Sequence, residues 1–197
     1  MEDIVDLARR RLGYSEKFLR GFKFSVMGWE AVYAKGHYGD PDYVITELVK
    51  NDPGGATKFG IDQRDHPAID VKSLDLNGAM IVFHDGTRDL HGVLEGGEWT
   101  RIRGDDLSDS WSLALFDCAI NPGMVAVHWA QEILGLVSDG KLGPKTIAAV
   151  NAAQDRHLVA FLMKRDAYYL SRGPWANDFR AGWLDRNKAL RKELGLV

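Results

Sequence analysis

Apolar residues recur at helical spacing along most of the chain. In residues 2–12 and 15–33 they return every three or four positions, and Gly13 separates the two runs. This period predicts two amphipathic helices, and Ser15 is a suitable N-cap for the second one. The residues expected to share the buried face of the second helix are Phe22, Val26, Trp29 and Tyr33.

Further helical patterns follow later in the chain. Near-continuous apolarity predicts a buried helix over 109–120, and Asn121-Pro122-Gly123 ends it. The other predicted helices cover residues 73–80, 124–134, 144–153, 157–171 and 175–194. We therefore expect most of the chain to be helical.

Residues 43–61 break the helical pattern. A run of β-branched residues over 43–49 is followed by a turn rich in Gly and Pro over 52–55 and by a second short run over 56–61. This order predicts a β-hairpin, and a second hairpin is predicted within 83–103. Together the patterns predict a mostly α, α+β fold in which a small hairpin lies beside a helix.

The composition is that of an ordinary globular protein in water. The 197 residues are 45% hydrophobic and 27% charged, which suits one domain. A net charge of −3 argues against a general nucleic-acid binder, and no apolar run approaches the roughly 20 residues that cross a bilayer. The charged N-terminus lacks the apolar core of a secretory signal, so we expect synthesis in the cytoplasm without a signal peptide. We expect a monomer that neither binds nucleic acid nor inserts into membranes.

Cysteine and histidine usage excludes several kinds of site. The single cysteine, Cys118, cannot form an internal disulfide, and its apolar neighbours predict a buried side chain. The six histidines form neither an HExxH motif nor a Cys/His cluster, so we expect no metal and no cofactor.

Acidic residues and a hydroxyl surround the first Gly-rich turn. Hydrolysis of a glycosidic bond needs a carboxylic acid that protonates the leaving oxygen and a second polar group beyond the sugar. Glu30, at the edge of an apolar helix face, is a candidate for the acid, and Glu47 competes with it. Candidates for the second group are Asp52, Asp62 and Thr57, whose hydroxyl can orient a water molecule. Taken singly, such residues more often cap turns, pair in strands or face solvent.

Two motifs in this region resemble glycoside hydrolase family 108, the bacterial and phage N-acetylmuramidases that cut peptidoglycan. EAVY at 30–33 is similar to the family's Glu-Gly-Gly-Tyr, and DPGGATKFGI at 52–61 matches the fixed positions of its turn motif. FDCAINPG at 116–123 is similar to a helix end of the family. Residues 131–146 and 165–186 resemble its peptidoglycan-binding segment and its C-terminal helices.

The resemblance implies a single lysozyme-like domain over 1–197, with the β-hairpin beside an active-site cleft. Residues 1–110 would form the catalytic part, and 111–197 the helical part that resembles the peptidoglycan-binding segment. The implied partner is the glycan strand of bacterial peptidoglycan. The implied place of action is the cell wall, reached by holin-type release as for a phage endolysin or through another secretion route.

The resemblance also implies roles for individual residues. Glu30 would be the general acid, with Asp52 and Thr57 on the opposite side and Glu47 as a secondary group or a competing acid. The expected substrate-binding residues are Trp29, Tyr33, Gly54, Gly55, Phe59, Asp62 and Asn121.

Two departures from the family leave alternatives open. Alanine and valine replace the two glycines after Glu30, and the spacer that follows this motif is longer than in the family. A peptidoglycan-binding or virion structural protein without activity is therefore a second hypothesis. An amidase or peptidase that uses His37 or His66 is a third. Trp99 and Trp111 suit either sugar stacking or core packing.

Overall fold

The computed structural model describes residues 12–48, 55–88 and 94–196. The chain divides into two compact units, 1–105 and 106–197. Helices dominate the described residues and the short strands are antiparallel, which confirms the predicted mostly α, α+β fold. All but the last residue of the predicted helix over 2–12 lies outside the described residues, and so do Asp52 and Gly54. The division of one domain after residue 110 stays a prediction.

The first unit begins with a helix whose second half is unusually wide. Helix α1 covers Glu16–Phe22 and continues as a π-helix over Lys23–Glu30. Ser15 caps it as predicted, since its Oγ accepts a hydrogen bond from a backbone N–H three residues later at 3.3 Å. The helix ends at Glu30 rather than at residue 33, because Ala31 adopts an extended backbone.

The wide turns change which residues share the buried face. In a π-helix each N–H bonds to the carbonyl five residues back, as the Ala31 N–H does to the Val26 carbonyl at 2.8 Å. Phe22 and Val26 are buried as predicted, whereas Trp29 is 37% exposed. The predicted stripe is therefore wrong in its second half, since Trp29 faces outward and Tyr33 lies beyond the helix.

A small antiparallel sheet contains the predicted hairpin. Its strands are β1 (Glu47–Leu48), β2 (Ala56–Lys58) and β3 (Ile61–Asp62), in that order across the sheet. The predicted single run over 56–61 is wrong in one respect, because Phe59 and Gly60 form a tight turn within it. Both have positive φ, +57° and +78°, as in a type I′ turn. This backbone is unfavourable for a residue other than glycine, and burial of the Phe59 ring, which is 1% exposed, offsets the strain.

Helix α2 begins at an acidic cap. It covers Leu76–Asp85, later in the chain than the predicted 73–80. Asp75 sets its start, because the Asp75 Oδ1 accepts the Gly78 N–H at 2.7 Å. Just before this cap, the Leu74 carbonyl accepts a hydrogen bond at 2.6 Å from a lysine of β2, which ties the sheet to α2.

Beyond α2 the chain forms a second hairpin and a short helix. Strands β4 (Thr87–Arg88) and β5 (Leu94–Glu95) pair within the segment where the second hairpin is predicted. Helix α3 (Glu98–Arg101) is too short to show a period in the sequence. Trp99 on α3 is buried, and so is Trp111 in the second unit. Both tryptophans therefore pack in the core and offer no face to a sugar.

The second unit is built from helices. They are α4 (Asp109–Ile120), α5 (Val125–Ile133), α6 (Pro144–Asn151), α7 (Asp155–Ser171) and α8 (Asn177–Glu193). The predicted helices agree with these bounds to within two residues at each end. Cys118 on α4 is buried as predicted, and burial raises the pKa of its thiol to about 12.

A buried charge cluster joins three helices of the second unit. Asp117 on α4 accepts hydrogen bonds from Arg165 Nη1 on α7 at 2.6 Å and from Arg186 Nε on α8 at 2.9 Å. Burial alone would raise the pKa of Asp117, but the two guanidinium groups outweigh it and hold that pKa below its usual range. Arg165 and Tyr169 also donate to the Asn121 carbonyl. Asp117 and Asn121 of the FDCAINPG motif thus join α4 to α7 and α8.

The Gly-rich loop before α6 is organised by one buried amide. Gln131 on α5 donates from Nε2 to Asp139 Oδ1 at 2.7 Å and to the Lys141 carbonyl at 3.0 Å. Its Oε1 accepts the Gly140 N–H at 2.8 Å. Gly140 has φ of +71°, a backbone that favours glycine, and a Cβ atom there would also lie 2.5 Å from His128 Nε2. These motif residues hold the loop in its conformation.

Replacing Asp117 with asparagine should destabilise the second unit. Asp117→Asn leaves Arg165 and Arg186 buried without a counter-charge, and breaking such a buried pair costs about 3–5 kcal/mol. Urea unfolding at neutral pH should show this loss. Asp185→Asn, at an exposed position of α8, is the control and should change stability little.

The effect should depend on pH in one direction. Because the folded-state pKa of Asp117 is lowered, its carboxylate stabilises the parent fully above the unfolded-state pKa of about 3.9. This contribution is lost as the pH falls through the folded-state pKa, so the gap between parent and variant should narrow in acid. A gap that stays constant or widens in acid would contradict the role of the carboxylate.

Candidate functional site

Glu30 lies at the end of the π-helix, against the turn between β2 and β3. A Cβ atom at Gly60 would lie 2.6 Å from the Glu30 Cβ and 3.3 Å from its Oε2. The acid side chain therefore lies flat on the backbone of the turn, at a distance that only glycine permits. This contact places the end of the helix beside the turn between β2 and β3.

Two tyrosines hold the end of the π-helix. Tyr33 donates its hydroxyl hydrogen to the Met27 carbonyl at 2.6 Å, and Tyr38 donates to the Gly28 carbonyl at 3.3 Å. Carbonyls at a helix C-terminus lack partners within the helix, so these bonds replace the missing ones. Burial, followed by the charges of Tyr38 and Asp40, raises the pKa of Tyr33 to about 12. The Tyr33 hydroxyl therefore keeps its hydrogen at neutral pH and fixes the backbone that carries the acid.

The segment between the helix and the sheet closes on itself. Tyr33 and Val44 form an antiparallel bridge, and the Ile45 N–H donates to the Val32 carbonyl at 2.9 Å. Residues 34–43 therefore leave and return at one point. The first part of the long spacer, residues 34–43, is thus a closed loop, and the chain resumes beside the end of the helix.

Three side chains form a row on one face of the sheet. Glu47 of β1 lies directly opposite Thr57 of β2, and Thr57 lies directly opposite Asp62 of β3. Residues directly opposite each other point to the same face, with Cβ atoms about 4.5–5.5 Å apart. Their neighbours along the strands, Ala56 and Ile61, point to the other face and are buried. The row thus combines a carboxylate, a hydroxyl and a second carboxylate on the half-buried face.

The two acids of this row differ in their partners. Asp62 Oδ1 accepts the Asp65 N–H at 2.9 Å, and Asp62 Oδ2 lies 3.7 Å from Arg64 Nη2, so this side chain caps a turn. In the part of the chain that the structure describes, the Glu47 side chain has no hydrogen bond or ion pair. Glu47 is therefore the acid of the row whose oxygens are not already occupied.

Two other predicted substrate-binding residues are accessible. Trp29 precedes Glu30 and is exposed on the wide end of the helix. Gly55 is exposed at the start of the second half of the hairpin and has φ of +81°. Asp52 and Gly54 lie outside the described residues, so their predicted roles stay predictions.

Two further predicted substrate-binding residues have partners that serve the fold. The Phe59 ring is part of the core, because the tight turn directs it inward, so a substrate contact by this ring would need the turn to open. Asn121 belongs to the second unit, where its Oδ1 accepts the Tyr169 hydroxyl at 3.0 Å. The sequence resemblance alone does not separate such packing roles from binding roles.

Gly60 and Tyr38 are absent from the predicted site. A two-residue connection that ends in glycine, between two strand-like runs, is a signal for a tight turn and could have identified Gly60. No sequence pattern links Tyr38 to the Gly28 carbonyl, because the loop between them brings the two together only in three dimensions.

Among the described residues, no group of three or more His, Cys, Asp or Glu side chains is placed to hold a metal ion. None of the described helices is both long enough and apolar enough to cross a membrane. His37 stacks on Tyr43 with ring centroids 3.6 Å apart, and His66 Nδ1 lies 3.1 Å from Thr87 Oγ1. Both histidines of the amidase hypothesis therefore have packing partners in the first unit.

Comparison with known families and structures gives two successive matches. Residues 46–123 match the family described as Glycosyl hydrolase 108, and residues 125–188 match the family described as Predicted Peptidoglycan domain. The structure is similar to that of SagA from Brucella abortus, with a TM-score of 0.62 and 28% sequence identity over 78% of this chain and 87% of that chain. No curated protein matches the sequence. The matches confirm the resemblance seen in the motifs from residue 52 onward. The first match contains Glu47 and begins after Glu30, so the EAVY motif at 30–33 lies outside it.

Replacing Gly60 with alanine should displace the acid. The added Cβ would lie 2.6 Å from the Glu30 Cβ, and its φ of +78° is strained for alanine. Because a misplacement of about 1 Å can cost a hundredfold in rate, we expect Gly60→Ala to lower turnover of purified peptidoglycan by about that factor. Gly36→Ala is the control, since Gly36 has φ of +88° with nothing within 4 Å. Equal losses in both variants would show that backbone strain alone explains the effect.

Removing the Tyr33 hydroxyl should loosen the end of the helix. Tyr33→Phe keeps the ring but leaves the Met27 carbonyl without its 2.6 Å bond, so stability should fall by about 1 kcal/mol and turnover should fall with it. Tyr38→Phe is the matched control, because its bond is longer, 3.3 Å, and exposed. Thermal unfolding and rates on purified peptidoglycan measure both variants. A larger effect of Tyr38→Phe would contradict this assignment.

Proposed function

We propose that this chain, which carries a glycosyl hydrolase 108 region followed by a predicted peptidoglycan domain, is an N-acetylmuramidase. It cleaves the bond between N-acetylmuramic acid and N-acetylglucosamine in the glycan strands of peptidoglycan. The two family matches support the coarser statement, a glycoside hydrolase that acts on peptidoglycan. The observation that carries the finer proposal is the contact of Glu30 with the turn that follows the Thr57 strand.

Glu30 is the proposed general acid. A general acid must hold its proton within hydrogen-bond reach of the leaving oxygen, which requires a defined position. The flat contact with Gly60 and the Tyr33 bond to the helix end give the side chain such a position. Trp29, exposed next to the acid, offers an aromatic face against which the apolar face of a sugar can stack.

The row on the sheet is the proposed second side of the reaction. The Thr57 hydroxyl both donates and accepts hydrogen bonds, so it can orient a water molecule. The water oxygen bonds to the anomeric carbon as the glycosidic bond breaks, and Glu30 gives its proton to the leaving oxygen. Glu47, opposite Thr57, accepts the proton that the water loses. Asp52, in the adjoining turn, is the other candidate for this base.

A second candidate function is peptidoglycan binding without hydrolysis. One observation favours this function: the glycosyl hydrolase match begins at residue 46, so it does not include Glu30 and the EAVY motif. A wall-binding or virion structural protein would need the predicted peptidoglycan domain but not the acid. Activity measurements on purified peptidoglycan separate the two functions.

We further propose that the protein acts on the cell wall as an endolysin and works as a monomer. The predicted peptidoglycan domain supports the cell wall as its place of action. Release through holin-type membrane holes is the proposed route.

Replacing the two glutamates one at a time tests the assignment. Glu30→Gln keeps the shape of the side chain but cannot supply the proton, so release of reducing ends should fall by about 10²–10⁴-fold. Glu47→Gln should also reduce it, by a smaller factor. Glu16→Gln, at an exposed position in the first turn of α1, is the control and should match the parent.

Each contrary outcome has a defined meaning. Parent activity in Glu30→Gln together with none in Glu47→Gln would exchange the two roles. A parent that binds the wall but releases no reducing ends would favour the binding protein. New free amines instead of reducing ends, seen by mass spectrometry of the digest, would favour the amidase hypothesis.

A further inference from the structure

Exposed aromatic rings gather at the corner between α7 and α8. We call Tyr168, Arg172, Trp175, Phe179 and Trp183 the corner patch. Trp175 is 61% exposed and Phe179 is 57% exposed. Single exposed apolar residues are common on protein surfaces, but adjoining large rings are less so and mark binding surfaces.

The rings of the corner patch stack on the core of the second unit. Trp183 stacks on the buried Tyr169 with centroids 5.1 Å apart and an interplanar angle of 26°. Phe179 stacks in turn on Trp183, with centroids 5.9 Å apart and an angle of 22°. Because Tyr169 is itself bonded to Asn121 and Arg165, the stack begins at the buried charge cluster. Trp175 packs edge-on against Trp183, with centroids 6.1 Å apart and an angle of 70°. Both outer rings, Phe179 and Trp175, therefore rest on Trp183 before any ligand arrives.

One arginine fixes the backbone of the corner. Arg180 donates from Nε to the Tyr169 carbonyl at 3.3 Å and from Nη2 to the Arg172 carbonyl at 2.6 Å. Its Nη1 donates to Asn177 Oδ1 at 2.8 Å. These bonds join the end of α7 to the start of α8. The geometry is that of a rigid platform, which loses little conformational entropy when it binds a ligand.

The chemistry of the corner patch suits a glycan with acidic groups. Flat aromatic faces match the apolar C–H faces of pyranose rings. The Arg172 guanidinium lies 4.9 Å from the centre of the Tyr168 ring and 5.3 Å from that of Trp175, so a positive charge adjoins the rings. Peptidoglycan offers both features, because its sugar chain carries lactyl-linked peptides with carboxylates.

We propose that the corner patch is a sugar-stacking site that holds a peptidoglycan strand on the second unit. This inference rests on the proposed function for its ligand, and the predicted peptidoglycan domain over 125–188 contains the whole patch. The patch binds and retains the strand, and it takes no part in bond cleavage.

Sedimentation with insoluble purified peptidoglycan tests this inference, using the full chain with Glu30→Gln so that the wall stays intact. The double variant Trp175→Ala, Phe179→Ala should bind at least about tenfold more weakly. The loss of each ring contact should raise the dissociation constant by roughly threefold or more. The double variant Trp175→Tyr, Phe179→Tyr keeps an aromatic ring at both positions and should restore most of the binding. Met163→Ala, 61% exposed on α7 outside the patch, is the control and should bind like the parent. Far-UV circular dichroism should be the same for all variants.

Several outcomes would overturn the proposal. Unchanged binding by the double alanine variant would do so, as would equal loss in Met163→Ala. Binding of the parent to vesicles of anionic phospholipid but not to peptidoglycan would assign the patch to membranes instead. Failure of the proposed function gives a different result. In that case the unaltered chain, with Glu30 in place, would bind the wall and release no reducing ends.

Discussion

No Cβ atom fits between Glu30 and the backbone of Gly60, so the end of the helix and the turn between β2 and β3 are in direct contact. The other features of the first unit maintain this contact. The type I′ turn presents Gly60, the π-helix ends at Glu30, and the Tyr33 hydroxyl bonds to a carbonyl of its last turn. A small change in any of these three would move a carboxyl group whose proposed task depends on its position.

The second unit shows how motifs that suggest function can serve the fold. The Asp117 carboxylate pairs with two arginines from distant helices, and Asn121 accepts hydrogen bonds from the same cluster. Gln131 likewise holds the Gly-rich loop before α6 through hydrogen bonds to the Asp139 side chain and the Gly140 backbone. Buried polar groups must be satisfied by specific partners, and the partners of these residues lie within the second unit itself. The outer rings of the corner patch, Trp175 and Phe179, take no part in these hydrogen-bond networks. Their exposure, and not a sequence motif, is what indicates a binding surface.

Periodicity predicts the helices of the second unit closely, because their buried apolar residues recur at the spacing of a regular α-helix. It failed where geometry departs from the regular period. The π-helix turns Trp29 outward, and the turn at Phe59 interrupts a run that looks like one strand. The sequence also does not predict the pairing of Glu47 with Thr57, because strand register depends on how the intervening turn closes.

The two departures from the family motif have little effect on the position of Glu30 in the structure. Glycine is essential where φ is positive, but Ala31 has φ of −76° and ψ of 130°, and among the described residues only Phe59 and Arg103 combine positive φ with a side chain. The replaced glycines therefore impose no strain after Glu30. The first part of the long spacer, residues 34–43, closes through the bridge between Tyr33 and Val44, so it adds length without separating the helix from the sheet. Neither departure removes Glu30 from the turn between β2 and β3, and this supports hydrolysis over binding alone.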